Sequence, residues 1–126
     1  MTEPDRVGDE VRRAVLGDEH VDRTAANATP FTAPFYEYVT RTAWGQVWAR
    51  PELDRRTRSL LTLALLAALR CEEELAMHVR AAVRNGVTPV EIREALLHTA
   101  VYAGAPAANS AFAVAARVLA ELGVST

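Results

Sequence analysis

Glu74 and His78 stand four residues apart, just beyond the longest apolar run of the chain, Leu60 to Leu69. On a helix that spacing places both side chains on one face, about 5–6 Å apart at Cβ. A carboxylate at that distance can fix the tautomer of an imidazole and raise its basicity, as proton transfer requires. An ordinary helix-surface contact has the same spacing, so neighbouring residues must decide. Asn85-Gly86 follows the pair, and further on comes the run Tyr102-Ala-Gly-Ala-Pro-Ala-Ala-Asn-Ser-Ala-Phe112. Together these residues point to an enzyme.

The elements that must carry such a pair are helical. Nothing alternates with period two for long enough to make a strand, whereas helical spacing recurs almost everywhere. Residues 5–16 form a first amphipathic segment that stops at Gly17, and Asp18 opens a short second helix to about Ala25. A third helix is predicted from Pro34 to Trp48, with Trp44 and Trp48 stacked one turn apart. Asp54 is a candidate N-cap for a helix running to about Arg70, apolar on nearly every side and therefore expected at the buried centre. The next helix carries Glu74 and His78 and ends at Asn85-Gly86. Thr88-Pro-Val-Glu91 reads as a capping box with Pro at the first helical position, opening a helix that ends near Gly104. Pro106 starts the last one. The expectation is one all-α domain, residues 1–126, of about six or seven helices.

Composition bounds the rest. Among 126 residues, 50% are hydrophobic and only 6% aromatic, so Ala, Leu and Val must build the core. The net charge of −2 gives no electrostatic footprint for nucleic acid. All 14 basic residues are Arg, which excludes Schiff-base chemistry through lysine. The lone Cys71 excludes an internal disulfide and a Cys-only zinc site. The polar N-terminus lacks a signal-peptide core, and Leu60 to Leu69 is too short for a bilayer, so a cytoplasmic protein without membrane contact is expected. The small residues from Ala107 to Ala116 suit close helix contact and suggest self-assembly.

Longer motifs carry a resemblance. They are Thr42-Ala-Trp-Gly-Gln-Val-Trp-Ala-Arg-Pro51, Leu53-Asp-Arg-Arg-Thr-Arg-Ser-Leu60, Glu74-Leu-x-x-His78-Val-Arg-Ala-Ala82, Asn85-Gly86-Val87, Glu91-Ile-Arg-Glu94 and Gly104-Ala-Pro-Ala-Ala-Asn-Ser-Ala-Phe112. With the N-terminal stretch Val11 to Arg23, they make nearly the whole chain similar to the 4-carboxymuconolactone decarboxylase family. The resemblance implies the alkyl-hydroperoxidase-D-like helical fold and a homo-oligomer, a trimer or hexamer. It implies a small lactone carboxylate as partner and neither cofactor nor metal. The implied reaction is loss of carbon dioxide from γ-carboxymuconolactone to give β-ketoadipate enol-lactone in protocatechuate catabolism.

That chemistry explains why no cofactor is needed. The electron pair left by the departing carboxylate is vinylogous to the lactone carbonyl, so the substrate is its own electron sink. The protein must hold the carboxylate out of plane, donate hydrogen bonds to the carbonyl oxygen and protonate carbon. Preorganised donors and a general acid each supply roughly 10²–10³ and 10²–10⁴ in rate. His78 is then the proton donor and Glu74 its orienting partner. Arg41, Arg50 and Arg58 are either surface charges or holders of a substrate carboxylate. Trp44 is either a core aromatic or a wall of the substrate pocket. Cys71 is a half-buried small residue or a substrate contact. Asn109, with Ser110, lies in the first turn of the last helix, where free N–H groups favour anions. His98 reads as a core histidine.

Two departures matter. Cys71 and Ala76 stand where the family commonly has Arg, the residue suited to bidentate carboxylate binding. They motivate an alternative: a diverged member acting on another lactone or carboxylic acid, in a biosynthetic setting. A non-catalytic oligomeric subunit is the remaining reading. Cys71, Glu74 and His78 also match the hydroperoxidase spacing Cys-x-x-Cys-x-x-x-His, but a single thiol cannot run its disulfide relay.

Overall fold

Thr2 opens the chain's first helix through a capping box. Its hydroxyl accepts from the Asp5 N–H at 3.4 Å, and the Asp5 carboxylate accepts from the Thr2 N–H at 3.3 Å. A computed structural model describes residues 2–126. Helix α1 spans Glu3–Leu16 and buries Gly8, Val11 and Val15 along one stripe. Gly17, at φ 91°, takes a left-handed turn that a side chain would resist, and α2 (Asp18–Ala26) follows directly. Asp18 is thus the first helical residue rather than the cap.

The predicted third helix divides in two. Helix α3 covers Ala33–Val39, and the chain then widens into a π-helical stretch, Thr40–Trp48. Ala49 N–H reaches back five residues to Trp44 O at 3.1 Å, the bond that defines this wider winding. Packing accompanies the change. A Cβ on Gly8 would lie 2.0 Å from Thr40 O, and one on Gly45 would lie 3.0 Å from Pro4 O, so two backbones cross where side chains are missing. These elements, up to Asp54, make one compact unit.

Arg55–Thr126 makes the second. It holds α4 (Arg55–Ala68), α5 (Glu72–Arg84), α6 (Pro89–Ala103) and α7 (Ala105–Glu121). Helix α4 packs on α5, α6 and α7, and α7 also packs on α5 and α6. Leu63, Leu75, Val79, Ile92, Leu96 and Val118 fill the core between them. Thr88 caps α6 as read from the sequence, with Glu91 N–H donating to its hydroxyl at 3.2 Å and Pro89 at N1. Glu91 also ion-pairs with Arg56 of α4.

Helix α4 corrects one expectation. Only Ser59, Leu63 and Ala67 on it are buried, while Leu61, Leu65 and Leu69 face outward. The three helices packed on α4 enclose one stripe of it, with Leu60 and Leu66 partly buried at its margins. The described residues contain no strand, and none of their helices is long and apolar enough to cross a membrane.

Candidate active site

Helix α5 owes its position to a sharp break before it. Arg70 adopts φ 59°, a left-handed conformation unusual for a residue with a Cβ. Arg70 N–H donates to Ala67 O at 3.2 Å and Cys71 N–H to Leu66 O at 3.0 Å, which closes the end of α4. Cys71 is then the N-cap of α5, and Leu75 N–H bonds its carbonyl at 2.8 Å. Glu72, Glu73 and Glu74 follow in the first turn, where the positive end of the helix dipole favours carboxylates.

One and two turns on, the helix runs into the core. Leu75, Val79 and Ala82 are fully enclosed, and His78 beside them is only 9% exposed. His78, Ser59 and Thr99 are the buried polar residues of this unit. Asn85, the C-cap of α5, donates from Nδ2 to Ser59 Oγ at 3.0 Å and so ties the far end of α5 to α4. Sequence reasoning missed this contact, although Ser59 lies four residues before core Leu63 and so on its face. Thr99 returns its hydroxyl to Ala95 O at 2.9 Å on its own helix.

Glu74 is exposed on the first turn, and among the described residues no hydrogen bond or ion pair joins it to His78. The two share a face but not an environment. Arg58 is half-buried on α4, Cys71 half-buried at the cap, and Asn109 exposed in the first turn of α7. Ser110 bonds Pro106 O at 3.4 Å. Ala76 belongs to the apolar core, so that position brings no polar group to α5. His98 is corrected from core to surface: it is exposed, its ring 5.1 Å from that of Tyr102.

Arg41 and Trp44 belong to the N-terminal unit. The fork of Arg41 is filled by Asp5, at 3.1 Å from both Nε and Nη2. That bond holds the Asp5 carboxyl down at about 2. A substrate carboxylate on Arg41 must therefore displace Asp5. Trp44 is buried and stacks on Trp48 with ring centroids 5.0 Å apart. Among the described residues no three His, Cys, Asp or Glu side chains converge as metal ligands.

A buried imidazole beside a carboxylate-rich helix turn suits proton delivery to carbon. Comparison with known proteins then decides the lineage. The family model of the carboxymuconolactone decarboxylase family matches residues 33–117. The chain belongs to that family. A 4-carboxymuconolactone decarboxylase of Acinetobacter baylyi is 49% identical over 118 residues, covering 94% of this chain and 88% of the relative. A nitrosuccinic acid decarboxylase of Metarhizium robertsii is 50% identical over 115 residues, covering 91% and 80%. A 4-carboxymuconolactone decarboxylase of Pseudomonas putida is 53% identical over 38 residues, 30% of this chain and 79% of the relative. In this family member the motif residues Glu74, His78, Asn85 and Gly86 all sit on or at the end of α5.

Proposed function

We propose that the protein decarboxylates γ-carboxymuconolactone to β-ketoadipate enol-lactone, with His78 as the acid that protonates carbon. The observation that carries this reading is the 49% identity to a 4-carboxymuconolactone decarboxylase across 94% of the chain. The position of His78 supports it, because proton transfer from a nearly enclosed imidazole to carbon meets little competition from water. The carbon–carbon bond to the carboxylate breaks, its electron pair moves through the double bond to the lactone carbonyl, and carbon then takes the proton. Glu74, exposed one turn away on the same face, is given only a minor, screened part. Arg58, Cys71 and Asn109 of the same unit are the side chains proposed to meet the substrate.

A second reading is favoured by the relative that acts on nitrosuccinic acid. A carboxylate on carbon bearing a nitro group also leaves its electron pair in a built-in sink and also ends in protonation of carbon. Cys71 and Ala76 remove two cations common in the family, which suits a differently charged acid. Carbon dioxide release from both acids, on wild type and His78→Ala, separates the readings. Turnover of the lactone lost in His78→Ala supports the first. A folded wild type that consumes nitrosuccinate and leaves the lactone untouched overturns it.

We further propose a homo-oligomer. Leu61, Leu65 and Leu69 form an outward stripe on α4, and Leu97, Val101 and Tyr102 stand out from α6, which packs on it. Tyr102 is 80% exposed and Leu69 71%. Monomers rarely leave so much contiguous apolar surface in water. Light scattering on wild type and Leu65→Glu tests this: a monomeric wild type sinks it.

A further inference from the structure

Helices α6 and α7 pack together yet leave a cleft of about 320 Å³ between them. The cause is local. Along the lining face of α7 stand Ala115, Ala116 and Ala120, too short to fill the space beside Ile92 and Leu96 of α6. Ile92, Leu96 and Leu119 on the lining are buried, and half-buried Phe112 adds an aromatic ring. The chain after α7 supplies the remaining wall. Gly123, at φ 69°, takes a left-handed turn, and Val124 N–H then donates to Leu119 O at 3.0 Å. That cap folds Val124 back onto the helix end, where it joins the lining.

Space, walls and anchor together describe a small-ligand site. Such sites span about 300–1,000 Å³, with mostly apolar walls and a few polar groups that fix orientation. This cleft lies at the small end of that range. Arg93 is the one charged side chain on its lining. The Arg93 Nε donates to Glu94 at 3.1 Å, which leaves both Nη groups to donate elsewhere. A carboxylate matches such a planar edge. Charge balance sets the valence of the ligand. One cation, partly offset by Glu94, can hold one carboxylate. A second would be left against Ile92 and Leu96, where an unpaired charge is costly.

We propose that this cleft binds a small aromatic or alicyclic monocarboxylate, its ring on Ile92, Leu96 and Phe112 and its carboxylate on the Nη edge of Arg93. Every lining residue falls between Pro89 and Thr126, on α6, on α7 or after it. His78, Glu74 and the side chains proposed above to meet the decarboxylation substrate are not among them. The cleft is therefore a second site, and its occupancy does not depend on the reaction.

Ile92 is the only isoleucine of the chain, so labelling isoleucine δ1-methyl groups gives this cleft a single NMR signal of its own. The full-length protein is titrated with sodium phenylacetate, with phenylacetamide and sodium chloride as controls at equal ionic strength. The Ile92 signal is expected to shift and saturate with phenylacetate and to stay in place with chloride. Phenylacetamide should bind about threefold to fivefold more weakly, the weight of a half-exposed ion pair. Arg93→Gln should erase that preference for the acid. Ala116→Leu, at an exposed position, fills the cleft and should abolish the saturable shift, with circular dichroism checking the fold. His78→Ala should bind phenylacetate as wild type does, which keeps this test apart from that of the reaction. No saturable shift in wild type, equal binding of acid and amide, or binding retained in Ala116→Leu overturns the proposal. So does binding lost in His78→Ala, which would move the ligand to the decarboxylation site. An Ile92 signal that moves with protein concentration alone overturns it too, by assigning the cleft to a second copy.

Discussion

Glu74 and His78 lie one turn apart on the same face of α5, and only the carboxylate is open to water. An exposed carboxylate is screened and contributes little to a neighbour it does not bond. The two side chains should therefore differ sharply in kinetic weight. His78→Ala is expected to lower kcat for decarboxylation by roughly 10²–10⁴, the usual contribution of a positioned general acid. Glu74→Gln should cost less than about tenfold, because the imidazole keeps its burial. Steady-state rates of carbon dioxide release on the two variants check this. Equal losses would mean that substrate draws the carboxylate onto the imidazole.

Arg70 holds the left-handed turn that aims α5, and it does so with a Cβ. That conformation costs roughly 1–2 kcal/mol for an ordinary residue, while glycine gives back about 0.5–1 kcal/mol through the unfolded chain. Arg70→Gly should therefore stabilise the protein by about 0.5–1 kcal/mol. Urea unfolding measures it, and a lower midpoint in the variant would show that the Arg70 side chain has a role of its own.

Much of this fold was legible because its signals are local. The capping box of Thr88 and Glu91, the stop at Asn85-Gly86 and the restart at Pro106 each rest on backbone chemistry within a few residues. The π-helical stretch was not legible. Trp44 and Trp48 repeat at a spacing that nine residues cannot assign to one winding rather than the other, and what accompanies it is Gly8, more than thirty residues earlier in the chain. The outward leucines of α4 were hidden for a different reason, since an apolar run looks alike whether its own chain or another covers it. For the candidate site, type and spacing singled out His78 and Glu74, and both lie on α5. The exposure of Glu74 and the Asp5 bond on Arg41 depend on side-chain directions that no motif encodes.

The Asp5–Arg41 pair predicts an acid limb in stability. In the folded protein the hydrogen bond from Arg41, followed by that from Thr2, holds the Asp5 carboxyl at about 2, below its value in an unfolded chain near about 3.9. The folded state then binds fewer protons at this group than the unfolded state does. Its contribution is fully present above about pH 4 and is lost as pH falls through about 2. Asp5→Asn should be less stable than wild type at neutral pH, with the difference shrinking across that window. Urea midpoints of both proteins between pH 6 and 2 check it; a difference that stays constant with pH would detach the effect from ionisation.

Gly8 meets the π-helical stretch where no side chain fits. A Cβ there would stand 2.0 Å from Thr40 O and 2.9 Å from Thr40 C, both backbone atoms that cannot swing aside. Gly8→Ala gains helix propensity, worth about 1 kcal/mol, on a helix that is already capped. Against that, the clash must push α1 away from Thr40–Trp48, and overpacking of this kind costs about 1–3 kcal/mol or more. The clash should win, leaving the variant less stable by at least about 1 kcal/mol in urea. Because Trp44 and Trp48 lie in the displaced stretch, the loss should be accompanied by a change in native tryptophan fluorescence. A Gly8→Ala protein as stable as wild type, with unchanged fluorescence, would show that the two backbones do not cross as closely as described.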